Sequence, residues 1–115
     1  MVVDDVEFTR AIEEALDALP TELRRALSNV DVCVEEEAPP GSRLLGLYEG
    51  VPLTERTSRY GGVLPDKITL FRGPLERLAG FDDERLRAEI RHTVWHEVAH
   101  HFGISDERLV EIDRY

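Results

Sequence analysis

Five residues near the C-terminus stand in the pattern His-Glu-x-x-His-x-x-Gly-x-x-Asp: His96, Glu97, His100, Gly103 and Asp106. Two histidines four apart on a helix face the same way and can grip one metal ion. A glutamate directly after the first histidine can act as general base on a metal-bound water. Gly103 lets the chain turn sharply, and Asp106 can return as a third ligand. Two imidazoles and one carboxylate leave a zinc position open for water, which suits a catalytic site rather than a structural one. One Zn²⁺ per chain is therefore the expected cofactor, held by His96, His100 and Asp106.

With His96 at zero on the helical wheel, His100 falls at about 40° and Glu97 at about 100°. The imidazoles point at one ion while Glu97 stands beside it. The chemistry expected of this set is hydrolysis of a carbonyl substrate. Glu97 takes the proton from water as it attacks the carbonyl carbon, and returns it to the leaving amine. A second donor for the developing oxyanion would help, and Tyr48, Tyr60 and Tyr115 are the tyrosines on offer. His101 points about 100° away from His100 and reads as a surface or supporting histidine. His92 and Glu89 lie near the line of His96 and His100; His92 reads as solvated or core and Glu89 as a supporting residue.

The site needs a helix, and the sequence supplies one. Asp82 or Asp83 caps a helix over residues 83–102. Val94, Trp95, Val98, Ala99 and Phe102 cover the side opposite the histidines, so the back is buried and the metal face polar. Gly103 stops this helix, and Ser105 caps a last one over residues 106–114. Upstream, residues 4–19 carry Phe8, Ile12, Ala15, Leu16 and Leu19 at helical spacing, Pro20 interrupts, and residues 21–27 form a short helical piece. Val30, Val32 and Val34 alternate with Asp31, Cys33 and Glu35 as a half-buried strand, followed by an acidic turn over 35–41. Residues 44–49 and 67–71 are further strands, separated by a long aperiodic loop. Pro74 opens a short helix through Ala79, and Gly80 ends it.

The chain has 115 residues, 42% of them hydrophobic and 33% charged, which fits one globular domain spanning residues 1–115. A net charge of −10 argues against nucleic acid and anionic lipid as partners. No apolar run reaches membrane-span length. The first residues lack the basic and apolar regions of a signal peptide, so the expected compartment is the cytoplasm. Cys33 is the sole cysteine, which excludes an internal disulfide and a thiolate metal cluster, and it reads as an inert buried thiol.

On His96, Glu97, His100, Gly103 and Asp106, the chain resembles the zincin metallopeptidases. More narrowly, it resembles the minimal zincin-like family of bacterial, largely actinobacterial, proteins. The resemblance implies an α+β fold: a mixed three- to four-stranded sheet packed on a backing helix and an active-site helix. It implies a zinc metallopeptidase acting on short or unfolded peptides. By the same analogy, residues 67–71 form the edge strand that pairs with extended substrate. The chain departs from the metzincins in having Asp106 where they have a third histidine, and in lacking a methionine turn, since Met1 is its only methionine. Nine residues, 107–115, follow Asp106, and the lower subdomain that walls a zincin cleft is missing from them. Two alternatives follow: a non-catalytic zinc-binding or partner-binding domain, or a peptidase whose cleft a second chain completes.

Overall fold

The structure is a computed structural model that describes residues 4–27, 29–50, 65–105, 107, 108 and 111. Helix α1 (Asp5–Asp17) starts where the Asp4 side chain accepts the Glu7 amide at 2.8 Å, and a short α2 (Thr21–Arg24) follows Pro20. Strands β1 (Val30–Glu35), β2 (Gly46–Glu49) and β3 (Asp66–Phe71) form one sheet in the order β1-β3-β2. Helices α3 (Arg72–Leu78) and α4 (Asp83–His101) complete the described elements. This is the α+β class expected from the sequence.

The sheet is mixed: β1 pairs with β3 in parallel, and β2 pairs with β3 antiparallel. The analogy that made residues 67–71 an edge strand is therefore corrected. β3 is the central strand, with its hydrogen-bonding groups committed on both sides. Its burial gives the physical reason. Ile68 and Leu70 on one face are fully buried, and Thr69 and Phe71 on the other are nearly so. A strand buried on both faces belongs in the middle of a sheet.

α1 and α4 pack on each other and on the sheet. Phe8, Ile12 and Ala15 of α1 meet Ile90, Val94 and Val98 of α4 over Ile68 and Leu70 in one apolar core. Trp95 extends this anchor, its indole N–H donating to the Ala15 carbonyl at 2.9 Å while Arg91 stacks on its ring. At the far end Arg72 is 8% exposed and survives burial because it is paired. It donates through Nε to Glu76 and through Nη1 to Asp5, each at 2.5 Å, and lies over the Phe8 ring. Burial alone would lower its pKa; the bonds and charges of Glu76 and Asp5 outweigh that and raise it. The start of α1 is thereby tied to the start of α3.

The turn after β1 docks on α3 through Gly73. The Gly73 amide donates to the Glu36 carbonyl at 2.8 Å, and a Cβ there would lie 2.7 Å from that same oxygen. Alanine is the better helix former by about 1 kcal/mol, yet the backbone clash decides the sign. Gly73→Ala is expected to destabilise the fold by roughly 1–2 kcal/mol, in the range of other overpacking substitutions. Thermal unfolding checks this, and an unchanged or higher midpoint would show that the 36–37 turn yields freely.

Candidate metal centre

α4 carries the whole described part of the candidate site. Asp82 caps it by accepting the Arg85 amide at 3.0 Å, as the sequence suggested. Its other end closes on Gly103, whose φ is +71°. The Gly103 amide bonds the His100 carbonyl at 3.1 Å and the Ile104 amide bonds the Ala99 carbonyl at 2.8 Å. This pair of bonds is the Schellman closure, which needs a left-handed residue at that position. Immediately beyond, Ser105 Oγ accepts the Arg108 amide at 3.1 Å, the helix-start cap expected of it. Asp106, Tyr60 and Tyr115 lie outside the described residues.

The structure brings His96, Glu97 and His100 together on one side of α4. The His96 and His100 rings are nearly parallel, tilted by 2°, with centroids 6.2 Å apart. His96 is half-buried and His100 exposed, so the pair opens outward. It is the i, i+4 spacing on one helix face, rather than the parallel setting of the rings, that lets two imidazoles turn toward one ion. Nitrogen donors beside a carboxylate fit zinc. Among the described residues no group of three His, Cys, Asp or Glu side chains could hold an ion. A third protein ligand would have to come from outside them.

β2 decides what Glu97 faces. A Cβ on Gly46 would come 3.0 Å from Thr93 Cγ2, and one on Gly50 would come 2.7 Å from His101 Cε1. Thr93 and His101 sit one turn before and one turn after Glu97, on the same helical line. β2 therefore runs along α4 over the line Thr93, Glu97, His101, and the two glycines permit the close approach. His96 and His100 stand on the adjacent line, away from the strand. Glu97 is half-buried, and burial pushes its carboxyl above the usual carboxylate range, against the downward pull of His96 and His100. A base raised in this way is better matched to proton transfer near neutral pH.

Of the three tyrosines offered as an oxyanion donor, Tyr48 has its hydroxyl committed elsewhere. It is 7% exposed, and its hydroxyl donates to Asp66 Oδ2 at 2.7 Å. Its ring packs against His101 with centroids 4.3 Å apart. His101, though exposed, thus reaches from α4 to the Tyr48 ring of β2 and is set edge-on to Phe102 at 4.9 Å. Asp66 went unremarked in the sequence because an aspartate at a strand start looks solvated, and only the fold buries it to 6%. His92 is exposed and extends the histidine column, its ring 6.2 Å from that of His96. Cys33 is half-buried.

The profile of the zincin-like metallopeptidases matches residues 27–115. The chain belongs to this family. The matched span holds the sheet and the whole of α4, whereas α1, which closes the zincin-like core from behind, precedes it. Among solved structures, the fold is similar to that of a conserved hypothetical protein from Thermo thermophilus. The two are 30% identical with a TM-score of 0.57, over 87% of this chain and 94% of the other. No match was found among curated proteins. No helix among the described residues is long and apolar enough to cross a membrane.

Proposed function

We propose that this zincin-like domain is a zinc-dependent peptidase that cleaves short or unfolded peptides, with His96, His100 and Asp106 as ligands and Glu97 as general base. The observation that carries the reading is the place of Glu97, between an outward-facing histidine pair and the strand β2. Bound zinc would supply a polarised water and a charge to stabilise the oxyanion. The chain's own residues do the rest. Among the described residues β2 is paired on one side only. A substrate strand added to its other edge would lie beside α4, with its backbone held by main-chain hydrogen bonds. Glu97 would then accept the water proton and pass it to the leaving nitrogen. Strand addition requires an extended backbone, which is why flexible peptides suit the site better than folded proteins. We place the activity in the cytoplasm, where the lone Cys33 needs no oxidising partner.

Zinc per chain, measured by elemental mass spectrometry after removal and resupply of metal, tests the ligand set. The native protein is expected to hold one zinc, and Asp106→Ala to bind it at least roughly tenfold more weakly. A native protein that takes up no zinc would overturn the reading, and an unaltered Asp106→Ala would remove Asp106 from it.

A further inference from the structure

We infer that the Thr93 hydroxyl positions Glu97, donating to one oxygen of its carboxylate and leaving the other free to take the water proton. The inference rests on the peptidase reading and adds a residue to it. Thr93 is 4% exposed, and its Oγ1 is buried with no hydrogen-bond partner among the described residues. A helical threonine commonly turns its hydroxyl back to the carbonyl four residues earlier. Here that carbonyl belongs to Glu89, and the bond is not made. A buried hydroxyl left unpaired costs stability, and valine would fill the same space without that cost. A polar atom stranded in this way calls for a partner.

Glu97 needs only a turn of its side chain to accept from it. Side chains on a helix lean toward its N-terminus, so the one at i+4 covers the residue at i. Glu97 follows Thr93 by four, on the line that faces β2, and is half-buried. β2 holds Thr93 from the other side, where a Cβ on Gly46 would come 3.0 Å from its Cγ2. With the methyl packed on the strand, the hydroxyl is the arm left to meet Glu97. A charged acceptor makes the shorter and stronger bond, so the carboxylate is the preferred partner. With one oxygen anchored, the carboxylate no longer turns freely, and a base held in place needs no ordering before it acts.

Two measurements test this. The first is a melting cycle on metal-free protein: native, Thr93→Val, Glu97→Ala and the double variant. Valine removes the hydroxyl and keeps the shape. With Glu97 gone the hydroxyl is stranded, so Thr93→Val is expected to raise the midpoint in that background. With Glu97 present the same change breaks the bond, and its effect on the midpoint is expected to be lower by roughly 3–6 °C. Equal shifts in the two backgrounds would overturn the inference. The second is the split between kcat and KM on a fluorogenic peptide for zinc-loaded Thr93→Val and Thr93→Ser. Valine is expected to lower kcat at least roughly tenfold with KM within about twofold of native. Serine keeps the hydroxyl and is expected to hold kcat within a few-fold, although it melts lower for want of the methyl against Gly46. A purely structural threonine predicts the opposite order, with valine the better enzyme, and that order would also overturn the inference. The melting cycle uses neither zinc nor peptide. A native chain without hydrolysis therefore counts against the peptidase reading, while the Thr93–Glu97 bond is decided by the cycle alone.

Discussion

Replacing Glu97 by glutamine is expected to abolish peptide hydrolysis while leaving zinc in place. Glutamine keeps the shape and a hydrogen-bonding end but cannot accept the water proton. General base catalysis contributes roughly 10²–10⁴-fold, so kcat/KM on a quenched fluorogenic peptide should fall by about that factor. Zinc content should stay at the native value, since Glu97 lies on the β2 side of the helix and the proposed ligands His96 and His100 lie on the next line. A rate within a few-fold of native would remove Glu97 from the mechanism. A second readout comes from stability. Burial raises the Glu97 carboxyl in the metal-free fold above its ordinary value. For an acid with a raised folded pKa, the cost to stability is absent below the unfolded pKa. It grows as pH rises through the folded one, because the unfolded chain then holds the charge more easily. Metal-free Glu97→Gln should therefore melt higher than native at pH 7–8, and the gap should close near pH 4. Equal melting points across that range would show that the carboxylate is well solvated.

The motif and its helix were legible because both rest on local rules. His96, Glu97, His100 and Gly103 are related by helical geometry and a cap, and Asp82, Gly103 and Ser105 make the bonds their residue types favour. The back face of α4 followed from the spacing of Val94, Trp95 and Val98. The order of the strands was less accessible, since alternation says which residues share a face but not which strand is central. One signal was present. Ile68, Thr69, Leu70 and Phe71 contain no charged residue, and that suits a strand covered on both sides. The pairing of Arg72 with Asp5, 67 positions away, and of Tyr48 with Asp66 exists only once the chain is folded. A strand tyrosine looks the same in sequence whether its hydroxyl is free to meet a substrate or spent on a buried carboxylate. The line of Glu97 along β2 also depended on Gly46 and Gly50, whose missing side chains announce a close approach but not its partner.

Truncation of Trp95 to alanine is expected to cost stability and spare the chemistry, the reverse of the Glu97 result. Trp95 precedes His96 in the chain but lies about 100° around the helix, on the wall that meets α1. It is 7% exposed, bonds the Ala15 carbonyl and carries Arg91 on its face. Removing a buried tryptophan costs about 3–5 kcal/mol. That is a large part of the roughly 5–15 kcal/mol that holds a domain folded. The midpoint should drop by on the order of 10–20 °C. Trp95→Phe keeps most of the bulk and loses the hydrogen bond, so it should cost about 1–2 kcal/mol. Zinc, if held by the folded state as proposed, should lift both variants by mass action. At a temperature where Trp95→Ala is still folded and zinc-loaded, its kcat should lie within a few-fold of native, because His96, Glu97 and His100 remain on an intact helix. A variant that stays folded, holds zinc and has lost hydrolysis would show instead that the packing of α4 on α1 sets the distance between Glu97 and β2. The back wall would then belong to the catalytic geometry itself.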